Sequence, residues 1–354
     1  MLRPPAALDE VRARVDARLD DLLRSEHHRW ARFDERLAEP LERLVHFSVT
    51  GGKRLRPAFC HWGHVAAGGD TDDPRVVDTG AALELLHVFA LVHDDVMDDA
   101  DTRRGDPTVH QHFGRLHEAK GWKGESRRFG EGVAVLVGDL AIVLADGLLA
   151  GVSRPVWDVY NELRVELVMG QFLDVTVAAS GQADLGTSQR ISQFKTAKYT
   201  VERPLHLGAA LAGRLDELAP AFTAYGLALG EAFQLRDDVL GAFGDAEVVG
   251  KPVGDDFRDG KPTRLVIGAR AVAEREQLRP ALAVLDRVGD PDLTAADVVA
   301  IQEVVEFTGA RASVERRIEE LLNTAVEALG AADLEPGARA ALVDLAVYCS
   351  RRDR

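Results

Sequence analysis

Cysteine is scarce in this chain. The 354 residues contain two, Cys60 and Cys349, nearly a chain length apart. That spacing excludes a disulfide framework and cysteine-ligated metal, and it suits a reducing cytoplasm. Positive charge is in deficit. A formal net charge of -15 excludes a general nucleic-acid or anionic-membrane surface, since both need broad positive potential, so any anion site must be local. Uninterrupted apolar runs are absent as well. The longest apolar stretch, 133–152, carries Gly138, Asp139 and Asp146. Aspartates within a membrane are costly, so this stretch reads as a buried core helix, and no transmembrane segment is expected. The N-terminus alternates charge on a helical pattern with no apolar signal core, so neither export nor targeting is expected. Low-complexity tracts, regular repeats and flexible linkers are missing, and the length suffices for a substantial core. The expectation is one helical domain over 1–354.

Convincing strand pairs are also missing. Val, Ile and Thr rarely alternate with polar residues between turn signals, so an all-α reading wins over α/β. Helical periodicity predicts helices over 8–23, 40–49, 57–67, 81–100, 133–150 and 157–179, and onward to the C-terminus. Glycine, proline and charge place loops at 68–74, 105–107, 120–132, 180–188, 244–262 and 289–294.

What the chain does have is carboxylates in the wrong place. In residues 93–105, HDDVMDDADTRRG, five aspartates crowd into eight positions. The apolar segment 81–92 runs into them as a helix. On it Asp94 and Asp98 are four apart, Asp95 and Asp99 likewise, and Asp98 and Asp101 three apart, so several carboxylates share a face. Each like-charge pair opposes folding by about 0.2–0.5 kcal/mol. Gly105 and Pro107 end the helix soon after, which puts the carboxylates at the negative end of its dipole. A hard divalent cation answers both penalties, and Mg²⁺ is usually held by one or two carboxylates plus substrate phosphates.

A second acidic site, 233–245 or FQLRDDVLGAFGD, mirrors the first. Asp237 and Asp238 sit just before Gly241 and Gly244, near the end of a helix starting near Phe222. Two such helix ends facing one another would form an oxygen-rich pocket, and a diphosphate is the natural bridging ligand. Basic residues come in short clusters. GGKRLRP at 51–57 offers paired glycines, a point charge at Lys53 and a guanidinium fork at Arg56. It is not a P-loop, because Arg54 follows the Gly-Lys pair. The others are Arg103 with Arg104, KTAKYTVERP at 195–204, and Lys251 with Lys261. A solvated charged face explains any one cluster but not their coincidence with two carboxylate clusters.

Order and spacing together resemble the trans-isoprenyl diphosphate synthases of the polyprenyl synthetase family, over nearly the whole chain and most closely in the pattern of bacterial geranylgeranyl diphosphate synthases. The family pattern GGKxxRP, DDxxD with RRG, GQxxD, Lys-Thr, FQxxDD and a lysine-bearing loop is met here in order. The matching residues are Lys53 and Arg56; Asp94, Asp95, Asp98, Arg103 and Arg104; Gln171 and Asp174; Lys195 and Thr196; Gln234, Asp237 and Asp238; and Lys251. The resemblance implies a large bundle of helices around a deep central cavity, a homodimer, and magnesium, three ions to a site, on Asp94, Asp95, Asp98, Asp237 and Asp238. It implies an allylic diphosphate held by Arg103, Gln171, Lys195, Thr196, Gln234, Lys251 and Lys261. Isopentenyl diphosphate would lie in a metal-free site of Lys53, Arg56, Arg104 and His87. Ionisation of the allylic partner, attack by the isopentenyl double bond and proton loss then lengthen the chain by one five-carbon unit, with no side chain acting as nucleophile. One position departs from the pattern: Gly241 stands where most relatives have a third aspartate, leaving Asp237, Asp238 and, one turn on, Asp245.

Chain length should be set on the helix below Asp94. At about 1.5 Å per residue, Phe89 and Ala90 lie roughly 6–8 Å below it and Leu86 about 12 Å. One aromatic at Phe89 with small Ala90, and no insertion in DDVMD, resembles some twenty-carbon synthases, so geranylgeranyl diphosphate is the expected product and farnesyl diphosphate the alternative. His61 and His64, three apart but without partnering ligands, read as structural. Of the rival functions, a class I terpene cyclase has no need of GGKRLRP or RRG. A non-catalytic subunit of a heteromeric synthase would be expected to lose Asp94, Asp98 or Lys195.

Overall fold

The computed structural model describes residues 4–49, 52–180, 185–244 and 253–351. Helices make up most of it, as the periodicity predicts. The N-terminal half comprises α1 (Ala6–Ala31), α2 (Ala38–Val49), α3 (Leu55–Ala66), α4 (Pro74–Met97), α5 (Val109–Ala119), α6 (Ser126–Leu148) and α7 (Arg154–Ser180). Next come α8 (Leu185–Ser192), a π-helix (Gln193–Glu202), α9 (Arg203–Leu211) and α10 (Leu215–Phe243). The chain closes with the short α11 (Asp255–Arg258), then α12 (Arg264–Arg275), α13 (Arg279–Leu285), α14 (Ala295–Phe307), α15 (Ala310–Gly330) and α16 (Pro336–Arg351). Among the described residues the strands are a two-residue pair, β1 (Thr102–Arg103) and β2 (Asp106–Pro107), antiparallel with Arg103 opposite Asp106.

Two apolar clusters organise the bundle. In one, Leu19, Leu23, Leu44, Leu83, Leu85, Leu86 and Tyr160 join α1, α2, α4 and α7. The other centres on Phe59, Phe222, Tyr225, Phe257 and Leu342, from α3, α10, α11 and α16. Each fully buried leucine or phenylalanine of this kind contributes roughly 1.5–3 kcal/mol. The two helices bearing the acidic motifs run through these clusters: α4 packs on α6, α3 and α1, and α10 on α15, the π-helix and α9. Both aspartate motifs therefore sit on rigid supports.

Several boundaries differ from the periodicity reading. Helix α4 starts at Pro74 rather than residue 81, because Asp73 caps it by accepting from Arg75 N at 2.9 Å. It also stops at Met97, so Asp98 is its C-cap and Asp99, at φ 51°, has left the helix. Carboxylates at the negative end of the dipole favour that early exit. Helix α6 begins at Ser126, α10 at Leu215, and α8 and α11 fall within stretches read as loops.

The 133–152 stretch is corrected more substantially. Its small residues Ala134, Val137, Ala141 and Ala145 are buried, but Leu136 and Val143 are each 64% exposed, so α6 is a one-faced helix rather than a buried core helix. Instead α4 is, among the described residues, the one helix long and apolar enough to cross a membrane, with 61% of its most apolar stretch buried inside the protein.

The π-helix places two site residues. A Cβ on Gly230 of α10 would stand 2.2 Å from Ala197 Cα, so only glycine lets these two backbones approach so closely. The wider turns of a π-helix commonly occur at functional sites. Here they carry Lys195 and Thr196.

Candidate active site

Asp94, on the last turn of α4, is surrounded by donors from other elements. Gln171 Nε2 on α7 donates to its Oδ1 at 2.7 Å, Lys195 Nζ stands 3.4 Å from the same oxygen, and Arg103 Nη2 lies 3.9 Å from Oδ2. Lys195 also pairs with Asp174 Oδ2 at 2.5 Å. Asp95 points the other way. It is 1% exposed and takes Arg103 Nε and Nη2 on Oδ1 at 2.8 and 2.7 Å, so it anchors that arginine. Its Oδ2 is buried without a hydrogen-bond partner. Burial raises the Asp95 carboxyl against the pull of Arg103. For Asp98, at the cleft rim, desolvation and then the Asp94 charge raise it in the same direction.

The hairpin turn separates the two arginines. Arg104 and Gly105 both have positive φ, 54° and 85°, which a tight two-residue connection between twisted strands requires. Arg103 returns to Asp95, while Arg104 stands among the charges of Arg54, Glu84 and Arg56.

The second acidic motif lies across a cleft of about 730 Å³ lined by Asp174, Lys195, Thr196, Gln234, Asp238 and Lys261. Lys195 lines this cleft and contacts Asp94, and so links the two motifs. Thr196 Oγ1 donates to Gln234 Oε1 at 3.0 Å, and Gln234 Nε2 in turn donates to Asp238 Oδ1 at 3.0 Å. Burial pushes the Asp238 carboxyl up to about 7, with Asp256 and Asp237 adding to the shift. Asp256, from the short α11, fills the space beside the departing position: a Cβ on Gly241 would meet its Oδ2 at 2.7 Å. Lys261 Nζ holds the other oxygen of Asp256 at 2.7 Å. A carboxylate thus stands against Gly241 from the following loop instead of from the helix itself.

A hard divalent cation fits these donors. The site offers oxygen ligands, an orphaned buried carboxylate oxygen at Asp95 and carboxyls raised by desolvation and then by neighbouring carboxylates. Among the described residues, however, no three His, Cys, Asp or Glu side chains form a group that could hold a metal ion by themselves. Ions bound here need oxygens from a ligand, the arrangement Mg²⁺ adopts with phosphates.

A third grouping is dominated by arginine charge. Gly52, at φ 100°, opens the loop before α3; a Cβ there would meet Arg54 Nη1 at 2.8 Å. Arg54 is spent on structure, bonding Asp16 at 2.7 Å, Glu84 at 2.7 Å and the Ser48 carbonyl at 2.6 Å. Breaking such a buried pair costs roughly 3–5 kcal/mol. That anchor presents Arg56, whose guanidinium lies 4.2 Å over the Tyr199 ring. His87 is half-buried, and desolvation together with Arg56, Arg104 and Arg103 keeps its imidazole neutral, well below its usual range. Arg56, His87 and Arg104 therefore gather in one place, and Lys53 is half-buried at the start of the same segment.

Lys251 and Asp245 lie outside the described residues. Leu86 is fully buried in the core, whereas Phe89 and Ala90 are half-buried, with Phe89 edge-on to His93 at 4.6 Å. His61 and His64 are buried; their ring nitrogens face Thr71 at 3.5 Å and the Gly208 carbonyl at 3.3 Å. Motif reading passed over Arg54, Tyr199 and Asp256. Tyr199 follows Lys195 by one turn, which is a signal; nothing local singles out Asp256.

The polyprenyl synthetase family model matches residues 35–296. A geranylgeranyl diphosphate synthase of Mycobacterium tuberculosis is 33% identical over 309 residues, covering 86% of this chain and 81% of that protein. A geranylfarnesyl diphosphate synthase of Aeropyrum pernix is 31% identical over 282 residues, covering 77% and 81%. The crystal structure of geranylgeranyl pyrophosphate synthase from Corynebacterium glutamicum, complexed with isoprenyl diphosphate and magnesium, superposes with a TM-score of 0.89 at 35% identity, covering 98% of this chain and 99% of that one. The match spans both aspartate motifs and every helix that carries them, so the chain belongs to the polyprenyl synthetase family and is an isoprenyl diphosphate synthase, a prenyl transferase with an all-α fold.

Proposed function

We propose that this enzyme condenses isopentenyl diphosphate with an allylic diphosphate and releases geranylgeranyl diphosphate as its main product, with three magnesium ions per site. One observation carries the reading. Lys195 and Arg103 stand at the first aspartate motif, at 3.4 and 3.9 Å from Asp94, whereas Arg56, His87 and Arg104 form a second group in which arginine charge dominates. A metal-dependent diphosphate site and a metal-free one are therefore side by side. When bound with the allylic diphosphate at Asp94, Asp98, Asp237 and Asp238, magnesium supplies charge that stabilises the departing pyrophosphate.

The protein's own groups do the rest. Lys195, Arg103 and Lys261 bind the allylic diphosphate, as does Lys251, which lies outside the described residues. Gln171 orients Asp94, while Thr196 and Gln234 orient Asp238. Lys53, Arg56, His87 and Arg104 hold isopentenyl diphosphate, with neutral His87 acting as a hydrogen-bond donor. Positioning and preorganised charge carry the catalysis. Half-buried Phe89 and Ala90 supply the floor that stops the chain at twenty carbons, and Leu86 backs it from the core. The chain works as one helical domain in the cytoplasm, where its two buried cysteine thiols are stable. An exposed apolar stripe on α6 and α7, including Leu136, Val143, Val168, Met169 and Phe172, serves a second copy in a homodimer.

The test is pyrophosphate release from isopentenyl and allylic diphosphates, with the prenyl alcohols identified after phosphatase treatment. Activity should require Mg²⁺, and Asp94→Ala should lower turnover by roughly a hundredfold or more, since each tenfold is only about 1.4 kcal/mol of transition-state stabilisation. Near-normal turnover in Asp94→Ala, or activity in chelator, would refute the reading.

A further inference from the structure

Tyr199 touches two of the groups assigned above to isopentenyl diphosphate, although it lies in the separate KTAKYTVERP cluster. It is 3% exposed and sits one turn beyond Lys195 on the π-helix. The Arg56 guanidinium from α3 lies over its ring at 4.2 Å. Its hydroxyl is 3.3 Å from His87 Nδ1 of α4, with the two rings 6.1 Å apart and tilted by 53°. Arg56 Nε is buried without a hydrogen-bond partner, so the aromatic face is what fixes the plane of that guanidinium.

The direction of the Tyr199–His87 bond follows from charge. Desolvation first, and then the charges of Arg56, Arg104, Arg103 and Arg54, keep His87 neutral, so the ring carries one proton on one of two nitrogens. Burial pushes the Tyr199 phenol up to about 12, so it keeps its proton and can donate. A proton on Nε2 gives an anion a donor; a lone pair there would repel it.

We propose that Tyr199 is the positioning residue of the isopentenyl diphosphate site: its hydroxyl donates to His87 Nδ1 and so fixes the Nε2–H tautomer, while its ring sets the plane of Arg56. One buried side chain thereby aligns two diphosphate-binding groups from separate helices. The proposal rests on the assignment of Arg56 and His87 to isopentenyl diphosphate.

The experiment is nitrogen NMR on histidine-labelled, ligand-free protein, with His87→Gln identifying the signal, alongside steady-state kinetics. Wild type should show the Nε2–H tautomer at His87. Tyr199→Phe keeps the ring under Arg56 and removes the hydroxyl. It should shift His87 to a tautomer mixture and raise the KM for isopentenyl diphosphate roughly 3–10-fold, with the loss concentrated in KM. Tyr199→Leu removes both contacts and should raise that KM by roughly 30-fold. An unchanged His87 tautomer in Tyr199→Phe overturns the proposal, as does a Tyr199→Leu variant that loses thermal stability with no change in either KM. Lys53→Ala tests the underlying site assignment separately. If it raises the allylic KM instead, that assignment fails, while the NMR result on Tyr199 and His87 stands on its own.

Discussion

At the scale of single residues, the site is a set of carboxylates kept in unfavourable surroundings, and Asp238 is the clearest case. Its carboxyl is raised to about 7 from an ordinary 3.8, by burial first and by Asp256 and Asp237 after it. Between those values the folded chain holds a proton that the unfolded chain has lost. The stability this group contributes is thus full below 3.8 and is lost as pH rises to about 7. Asp238→Asn removes the titration. The melting temperature of the ligand-free variant should exceed that of wild type at about pH 8, and the gap should close near pH 4. A gap independent of pH would show that Asp238 does not titrate in this range. The residue types of the site were legible in the sequence, because DDVMD and FQLRDD put too much like charge on too few turns. Their division of labour was not. Asp95 and Asp94 are chain neighbours, yet a 100° step around the helix turns one into the protein onto Arg103 and leaves the other on the cleft.

At the scale of elements, the proposed function makes α4 both metal platform and ruler. Its last turn carries Asp94, and one turn below it Phe89 and Ala90 are half-buried while Leu86 is fully buried. Truncating Phe89→Ala should lower the floor and lengthen the products, whereas Ala90→Phe should raise it and yield the fifteen-carbon diphosphate. Chromatography of the prenyl alcohols from each variant reads this directly, and identical product lengths in both would place the stop on another helix. The periodicity of α4 was readable, but its ends were not. An N-cap at Asp73 extends it backwards, and the crowded carboxylates release it at Met97. The π-helix was beyond sequence reading, since KTAKYTVERP has an ordinary helical pattern. Its wider turn depends on the close approach of α10 at Gly230.

At the scale of the molecule, a net charge of -15 coexists with cationic pockets because Lys195, the adjacent Arg103 and Arg104, and Arg56 converge from three separate segments. The other large-scale feature is the apolar stripe on α6 and α7, where Leu136 is 64% and Phe172 67% exposed. As the proposed homodimer face it should be sensitive to charge. Leu136→Asp combined with Phe172→Asp should give a monomer by light scattering with helical content retained, since burying unpaired carboxylates is costly. A wild type that runs as a monomer, or a variant that remains a dimer, would remove this face from the assembly.

The sequence by itself determined the class of chemistry and the helical fold. Motif order, helical periodicity and the clash of like charges at helix ends are local properties, readable from spacing alone. Only the tertiary structure decided which side of each motif meets which. That Arg54 is buried between Asp16 and Glu84, that Tyr199 lies beneath Arg56, and that Asp256 stands against Gly241 all join residues distant in the chain. Such pairings arise from how helices pack, and packing is set by complementary surfaces of many side chains at once.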